Sequence, residues 1–272
     1  MAGADGGAGA MSSAPECAEF DTYTSRADAY TLAHKDNPGA REAELRETLN
    51  MLGDLKEKTI IEIGAGQGFL TAALLENAGS GGRVIAVDAS ARQLSALQES
   101  FPRAQCIQAS SEDIPLAAET ADMIVSLANF HHIELKERAF QECARLLKPN
   151  GILAIVDVSD NTPVQRYFDE VIATICSTGH PHTFLNRSLC EAHCDASGLQ
   201  LRSWQLKTVP WEFVSEQAGG LFVQRIHDAL CTPEGCWKSA STYLGASYST
   251  QGKIQLQWQL FFMLAQKASA AN

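Results

Sequence analysis

Short apolar runs alternate with amphipathic segments through the middle of the chain. The apolar runs have the length of buried strands and predict strands over residues 59–63, 83–88, 104–108, 123–127 and 152–158. The segments between them repeat apolar residues at helical spacing and predict helices from about residue 68, over 93–100 and over 134–147. This alternation predicts a parallel sheet with right-handed crossovers.

The flanking segments extend this pattern. Residues 1–18 are rich in Gly, Ala and Ser, have neither the basic region nor the long apolar core of a secretory signal, and predict a disordered tail. Residues 19–52 have helical patterning and predict an N-terminal helical cap. The tight turn predicted at Lys148–Gly151 depends on a proline that presets φ and on an Asn-Gly pair that accepts positive φ.

The last hundred residues predict further helices and two more strands. Their patterns favour helices over 164–177 and 187–196, strands over 199–209 and 257–266, and an aromatic-rich insertion over 211–250. Residues 162–198 and 211–250 are interpreted as lid elements of one domain over 19–272. The aromatic residues of the insertion favour an apolar or aromatic substrate, although packing explains at least half of them.

A glycine-rich loop between the first strand and its helix carries the most specific signal. Ile60–Leu70 contains the spacing G-x-G-x-G, which lets the backbone approach a ligand closely, and Phe69 occupies the third glycine slot of the dinucleotide fingerprint. Asp88 ends the second strand, where a carboxylate can bind ribose hydroxyls. Ser90 and Gln93 form a predicted capping box for the next helix.

The glycine loop resembles motif I of the class I S-adenosylmethionine (SAM)-dependent methyltransferases. Three later segments are similar to the small-molecule members related to the ubiquinone and menaquinone biosynthesis methyltransferases: 108–116, 122–133 and 145–153. The resemblance covers roughly Thr59 to Asp157. It implies an α/β, Rossmann-like, doubly wound and mostly parallel sheet, with an antiparallel edge strand and helical lid insertions.

Residue by residue, the resemblance also implies which side chains bind SAM. The implied cofactor-binding residues are Tyr23, Glu62, Gly64, Ala65, Gly66, Asp88, Ala89, Ser110, Ser111, Glu112, Ser126 and Leu127. Asp88 would hold the ribose, and Ser110 and Ser111 would flank the adenine. Ser110 replaces the Asp or Asn usual in that family, so Glu112, Asp113 or the backbone is left to contact the adenine amine.

His131 is the candidate catalytic base, because it leaves a strand whose end faces the reacting centre and histidine titrates near neutrality. A packing role for this histidine is an equal alternative. His132 is expected to point elsewhere. Tyr23 could reach over the cofactor, as its counterparts do in some related enzymes, or pack an N-terminal helix.

Composition narrows the remaining function classes. The net charge of −11 disfavours nucleic acid as a partner, and no apolar run is long enough to span a bilayer. Eight cysteines without a secretory signal favour reduced thiols and a cytoplasmic protein. His180-x-His182 with Cys190, His193 and Cys194 matches no strong zinc template, so no metal is expected.

The sequence therefore predicts SAM-dependent methyl transfer to an O, N or C atom of a small, apolar or aromatic metabolite. A homodimer is left open. One alternative is an NAD(P)-dependent oxidoreductase, which the missing third glycine disfavours. Another is a SAM-binding protein without methyl transfer activity, and a third is an RNA or protein methyltransferase.

Overall fold

The chain folds around one large sheet with helices on both faces. The structure is a computed structural model that describes residues 19–177 and 182–269, with side chains from residue 27 onward. The predicted tail over 1–18 lies outside the described residues. The strands are β1 (Thr59–Ile63), β2 (Arg83–Asp88), β3 (Gln105–Gln108), β4 (Ala121–Leu127), β5 (Leu147–Asp157), β6 (Leu199–Thr208), β7 (Trp211–Phe213), β8 (Ala246–Tyr248), β9 (Ile254–Leu256) and β10 (Gln259–Lys267).

The helices occupy most of the connections between these strands. They are α1 (Glu19–Asp36), α2 (Glu42–Leu52), α3 (Phe69–Ala78), α4 (Ala91–Ser100), α5 (Lys136–Leu146), α6 (Pro163–Tyr167), α7 (Ala173–Ile175), α8 (Arg187–Ser197), α9 (Glu216–Ile226) and α10 (Pro233–Leu244). A 3-10 turn, Phe130–His132, follows β4, and a π-helical turn, Phe168–Ile172, joins α6 to α7. Among the described helices, none is both long and apolar enough to cross a bilayer.

The seven-stranded sheet has the order β3-β2-β1-β4-β5-β10-β6. β1 pairs in parallel with β2 and β4, and β4 pairs in parallel with β5, as the strand–helix alternation predicts. β10 lies between β5 and β6 and runs antiparallel to both. Because β6 is the edge strand, β10 is one position in from the edge of the sheet. The predicted fold class is confirmed.

Local sequence signals account for most element boundaries near the site. Ser90 caps α4 by accepting a hydrogen bond from the backbone N–H of Gln93, as predicted. Gly198 ends α8 in the left-handed conformation. Asn150 has φ 65°, as the Asn-Gly prediction requires, but this segment belongs to β5 because pairing with β4 already begins at Leu147.

The insertion after β6 forms a small layer of its own. β7, β9 and β8 make a second, three-stranded antiparallel sheet, against which α9 and α10 pack. Trp211, Phe213, Phe222 and Trp237 are all buried in the core beside this layer. Packing therefore explains these aromatic residues, because none of them lines the cavity described below.

One expectation about the cysteines is wrong. Cys231 and Cys236, in the connection between α9 and α10 and the first turn of α10, form a disulfide, with their Cα atoms 6.3 Å apart. The compositional argument missed this pair because it weighs cellular compartment and cannot see two thiols that a turn brings together.

Candidate functional site

A cavity of about 530 Å³ opens at the carboxyl ends of the parallel strands. Its wall runs from the segment after β3 past β2 and β1 to the 3-10 turn after β4. This is the edge at which open α/β sheets bind ligands, and the volume suits a nucleoside-sized molecule with a small second substrate.

The glycine-rich loop forms the floor of the cavity beside β1. Gly64 has φ 73° and Gly66 has φ 54°, both in the left-handed region that favours glycine. A Cβ atom on Gly64 would lie 2.1 Å from Cγ of Asn129, so only glycine fits there. The backbone N–H groups of Gly64 and Ala65 both donate to the carbonyl of Val87, which fixes the loop against β2.

Asp88 lies on the cavity wall at the end of β2, as predicted. Its Oδ2 accepts a hydrogen bond from the backbone N–H of Gly66 at 2.8 Å, and its Oδ1 accepts one from Ser90 N–H at 2.9 Å. Burial raises the pKa of this carboxyl, and the backbone donors oppose that shift. The side chain is thereby held rigidly toward the cavity, with lone pairs left over for a diol ligand.

Glu62 lines the same cavity from the end of β1. Burial raises its pKa to about 8, and the nearby charge of Asp88 acts in the same direction. The Thr71 hydroxyl, from α3, donates to Oε2 of Glu62 at 2.5 Å and favours the charged form. A ligand that carries positive charge would favour the charged form of Glu62 and so oppose this pKa shift.

The segment after β3 supplies the far wall. Ser110, Ser111 and Glu112 line the cavity, and so does Ala89 after β2. The Ser110 hydroxyl donates to the Glu112 carboxylate, so this short serine and the acidic residue form one polar unit.

The sequence analysis assigned both Ser126 and Leu127, at the end of β4, to the cofactor site, but only one of them lines the cavity. Leu127 lines the cavity, as predicted. Ser126 is buried beneath it and donates to the carbonyl of Ile63 at 3.0 Å. Successive side chains of a strand point to opposite faces, which is why only one of the two reaches the cavity.

The two histidines of the 3-10 turn also differ in position. Nδ1 of His131 donates to Oδ1 of Asp157 at 2.6 Å, and Oδ2 of Asp157 accepts from the backbone N–H of His131 at 3.0 Å. His131 is buried and lies behind the described cavity wall, whereas His132 lines it, contrary to the expectation that His132 points elsewhere. The two rings are 4.0 Å apart between centroids.

Two residues of the N-terminal cap, Tyr30 and Arg41, line the cavity although the sequence analysis did not assign them to it. The backbone of Tyr23 lies in α1, and its side chain is outside the described residues. Tyr30, seven positions later on the same helix, lines the cavity. The helical spacing of seven residues from the candidate Tyr23 is the sequence signal that could have found Tyr30.

Arg41, between α1 and α2, is the other unassigned residue. It lines the cavity, and its guanidinium donates to Glu44 at 2.5 and 2.9 Å and to the Tyr30 hydroxyl at 3.0 Å. Trp211 Nε1 also donates to Glu44. Arg41 and Glu44 are an i,i+3 pair, but local sequence does not indicate that Tyr30 and the distant Trp211 complete this buried network.

Among the residues that the structure describes, Cys190, His193 and Cys194 do not form a group that could hold a metal ion. Cys190 and Cys194 are fully buried on α8, and burial raises the pKa of both thiols to about 12. His193 stacks on Phe140, and His180 lies outside the described residues.

Comparison with known proteins fits this geometry. The family model described as a methyltransferase domain matches residues 61–155, which run from β1 through the glycine loop and Asp88 to β5. Residues 61–155 form a methyltransferase domain. The predicted resemblance is confirmed.

Relatives of the methyltransferase domain share about half of their length with this chain. An uncharacterized methyltransferase of Schizosaccharomyces pombe is 36% identical over 135 residues, which are 49% of this chain and 51% of the relative. A ubiquinone/menaquinone biosynthesis C-methyltransferase of Klebsiella pneumoniae is 28% identical over 132 residues, covering 46% of this chain and 53% of that protein.

A solved structure extends the likeness of fold beyond the domain. Geranyl diphosphate C-methyltransferase from Streptomyces coelicolor A3(2), crystallised with Mg²⁺, geranyl diphosphate and S-adenosyl-L-homocysteine, superposes with a TM-score of 0.57 at 14% identity. The match covers 84% of this chain and 79% of that protein.

Proposed function

We propose that this chain transfers a methyl group from SAM to an O, N or C nucleophile of a small metabolite. The observation that carries the proposal is the cavity itself, which joins the glycine loop and Asp88 to the histidine-bearing turn after β4. The methyltransferase-domain match and the S-adenosyl-L-homocysteine in a protein of similar fold support SAM as the cofactor.

We expect the cofactor to lie across the carboxyl ends of the strands in one orientation. With the ribose on Asp88 and the adenine beside Ser110 and Ser111, the methionyl part extends across Gly64 toward the end of β4. The methyl group then faces the part of the cavity bounded by Leu127 and the 3-10 turn.

The reaction is an in-line displacement at the methyl carbon. The acceptor's lone pair forms the new bond to carbon while the carbon–sulfur bond breaks, and the bonding electrons stay on sulfur to give S-adenosylhomocysteine. The protein's part is to hold the two reactants in line and to take the acceptor's proton.

The histidine-bearing turn is the proposed proton acceptor. Asp157 holds the Nδ1–H tautomer of His131, which leaves Nε2 as the basic atom. His132 lies between His131 and the cavity wall, since it lines the cavity and its ring contacts that of His131. The proton passes to this pair as the acceptor reacts.

The acceptor is proposed to be small and largely apolar. Ala128, Ile133, Leu135 and Ile226 line the cavity together with His132. Glu134 and Arg138 add a polar rim that suits an acceptor with one polar end. The four buried aromatic residues of the insertion, Trp211, Phe213, Phe222 and Trp237, give no support here, because they pack in the core.

The segments over 19–52 and 211–250 are proposed to cover this cavity. Gln67 of the glycine loop donates to the carbonyl of Ala27 on α1 at 2.8 Å. On the other side of α1, the guanidinium of Arg225 on α9 donates to the Leu32 carbonyl at 3.3 Å and pairs with Asp36. Ile226 at the end of α9 then reaches the cavity.

Methyl transfer is tested by incubating the protein with methyl-labelled SAM and fractionated small-molecule extracts. Label in a small organic product, reduced in an Asp88→Asn variant when SAM is limiting, supports the proposal. Saturable SAM binding with no labelled product from any fraction supports a SAM-binding protein without transfer activity.

A further inference from the structure

Three histidine side chains meet at the end of the cavity nearest β4 and β5. One ring nitrogen from each of His131, His132 and His182 lies within 4.8 Å of the others, and the ring centroids are 4.0 Å, 4.3 Å and 5.1 Å apart. We call this group the histidine cluster. His182 comes from the segment before α8, fifty positions along the chain, so the fold and not local sequence brings the three together.

Asp157 orients the first member of the histidine cluster. Its carboxylate, which is almost completely buried, accepts from both Nδ1 and the backbone N–H of His131. A carboxylate behind an imidazole fixes the tautomer, strengthens the basicity of the other nitrogen and is the usual partner of a metal-bound histidine. Nε2, the ring nitrogen that is not bonded to Asp157, is therefore the ligand atom assigned to His131.

The segment that carries His182 is anchored to the same turn. Lys136, at the start of α5, donates from Nζ to the carbonyl of Ile133 at 2.6 Å and to the hydroxyl of Thr183 at 2.7 Å. Two residues further on, the carbonyl of Leu185 accepts from the backbone N–H of Asp160 after β5. These contacts hold His182 close to the turn through its own neighbours in the chain.

The histidine cluster brings three imidazole side chains together, with one nitrogen of each within 4.8 Å of the others. Neutral imidazoles are good ligands for Zn²⁺ and its neighbours in the first transition row. Three nitrogens bound to Zn²⁺ at ordinary bond lengths lie about 3.4 Å apart, so metal binding would draw these nitrogens closer together than the 4.8 Å within which they now lie.

We propose that His131, His132 and His182 bind a divalent transition-metal ion, Zn²⁺ in the first instance. Three protein ligands leave a fourth position open, and this position faces the cavity because His132 lines it. A bound metal there lowers the pKa of a coordinated hydroxyl.

The consequence for catalysis rests on the proposed function. When the metal is bound, Nε2 of His131 is a ligand, and the coordinated acceptor oxygen loses its proton to water more easily. The acceptor class is then a molecule with an ionisable hydroxyl, such as a phenol or enol, held close to the methyl group. In the metal-free protein the histidine pair takes the proton, with lower efficiency.

Metal binding is tested on full-length protein without a polyhistidine tag, stripped with a chelator. Titration with Co²⁺ is followed by its visible ligand-field absorption, and titration with Zn²⁺ by calorimetry. We expect saturation at one ion per chain, and at least tenfold weaker binding in His132→Ala and in His182→Ala. His193→Ala is the matched control and should bind as the parent does, since His193 stacks on Phe140 outside the histidine cluster.

The Asp157→Asn variant tests whether the carboxylate of Asp157 positions His131 for metal binding. Loss of the carboxylate behind His131 should weaken Co²⁺ binding about 10- to 100-fold with the cluster residues intact. Absence of saturable Co²⁺ binding in the parent protein, or equal binding in His182→Ala, overturns the proposal.

SAM binding is measured on the same preparations, so that the metal site and the proposed function are tested independently of each other. Metal binding without SAM binding contradicts the proposed function and leaves the metal site standing. SAM binding and methyl transfer that are unchanged by stripping, with no Co²⁺ signal, contradict the metal site alone.

Discussion

The carboxylate of Asp88 accepts a hydrogen bond from the backbone N–H of Gly66 at 2.8 Å, which joins the end of β2 to the loop after β1. The acid that would hold the ribose and the loop that would approach the methionyl part are therefore one rigid unit. A change in Asp88 affects both the hydroxyl contacts and the loop that faces them.

Asp88→Asn should weaken SAM binding about 10- to 100-fold, since a hydrogen bond to a charged group contributes about 1.5–3 kcal/mol. Calorimetric titration measures the loss. Asp122→Asn is the control, because Asp122 accepts from Thr59 N–H and Lys148 at the opposite end of the sheet. An Asp88→Asn variant that binds SAM as tightly as the parent would contradict the ribose assignment.

Gly64→Ala should destabilise the fold far more than Gly66→Ala. Both positions have positive φ, which costs a non-glycine residue about 1–2 kcal/mol. Only at Gly64 would the new Cβ also collide with Asn129, at 2.1 Å, while a Cβ on Gly66 meets no atom within 4 Å. Urea denaturation of both variants gives the comparison, and equal losses of unfolding free energy would refute the steric argument.

Glu62 should make SAM affinity depend on pH. Burial raises its pKa to about 8, so the side chain is mostly protonated at neutral pH in the ligand-free protein. The positive sulfonium of SAM favours the carboxylate, so binding releases a proton and affinity should rise as pH increases toward 8. Titration in buffers of different ionisation enthalpy measures the release, which Glu62→Gln should abolish.

The raised pKa of Glu62 also determines the direction in which the stability of the fold changes with pH. The pKa of Glu62 is higher in the folded protein than its ordinary value of 4.5, so the folded state binds more protons between pH 4.5 and about 8. The contribution of Glu62 is therefore fully present below pH 4.5 and is lost as pH rises through 8, by at most about 1.4 kcal/mol per pH unit. The difference in melting temperature between the parent and Glu62→Gln should follow that sign.

His131→Ala should lower turnover about 10²- to 10⁴-fold while SAM affinity stays nearly unchanged, because the ring is held by Asp157 and lies behind the cavity wall. Steady-state kinetics and calorimetry on one preparation separate the two effects. Unchanged turnover across pH would remove His131 from the reaction, and a parallel loss of SAM affinity would indicate a structural role.

Local pattern was enough to predict the elements that build the site. β1 and β2 have the predicted bounds, and Asp88 and the glycine loop lie where strand-end and turn chemistry place them. Each of these features depends on a few consecutive residues, so a single sequence contains the information.

The sequence analysis failed at two kinds of position: where neighbouring residues face opposite ways, and where a residue reaches the site from a distant part of the chain. Neighbouring residues in a strand or turn face opposite ways, and apolar patterning could not tell Ser126 from Leu127 or His131 from His132. Tyr30 and Arg41 reach the cavity through the packing of α1 and α2 over it. His182 reaches the histidine cluster through the path of the chain after β5. The strands β7, β8 and β9 have three residues each, too few to show a period.

The most direct test of the central claim is parallel calorimetric titration of the purified protein with SAM, S-adenosylhomocysteine and NADH. We expect saturable binding of SAM and S-adenosylhomocysteine, and no binding of NADH. A hundredfold excess of SAM over its dissociation constant should also stabilise the fold by about 2.7 kcal/mol, seen as a higher melting temperature. Binding of NADH alone would make Asp88 the ribose acid of an oxidoreductase and would contradict the account.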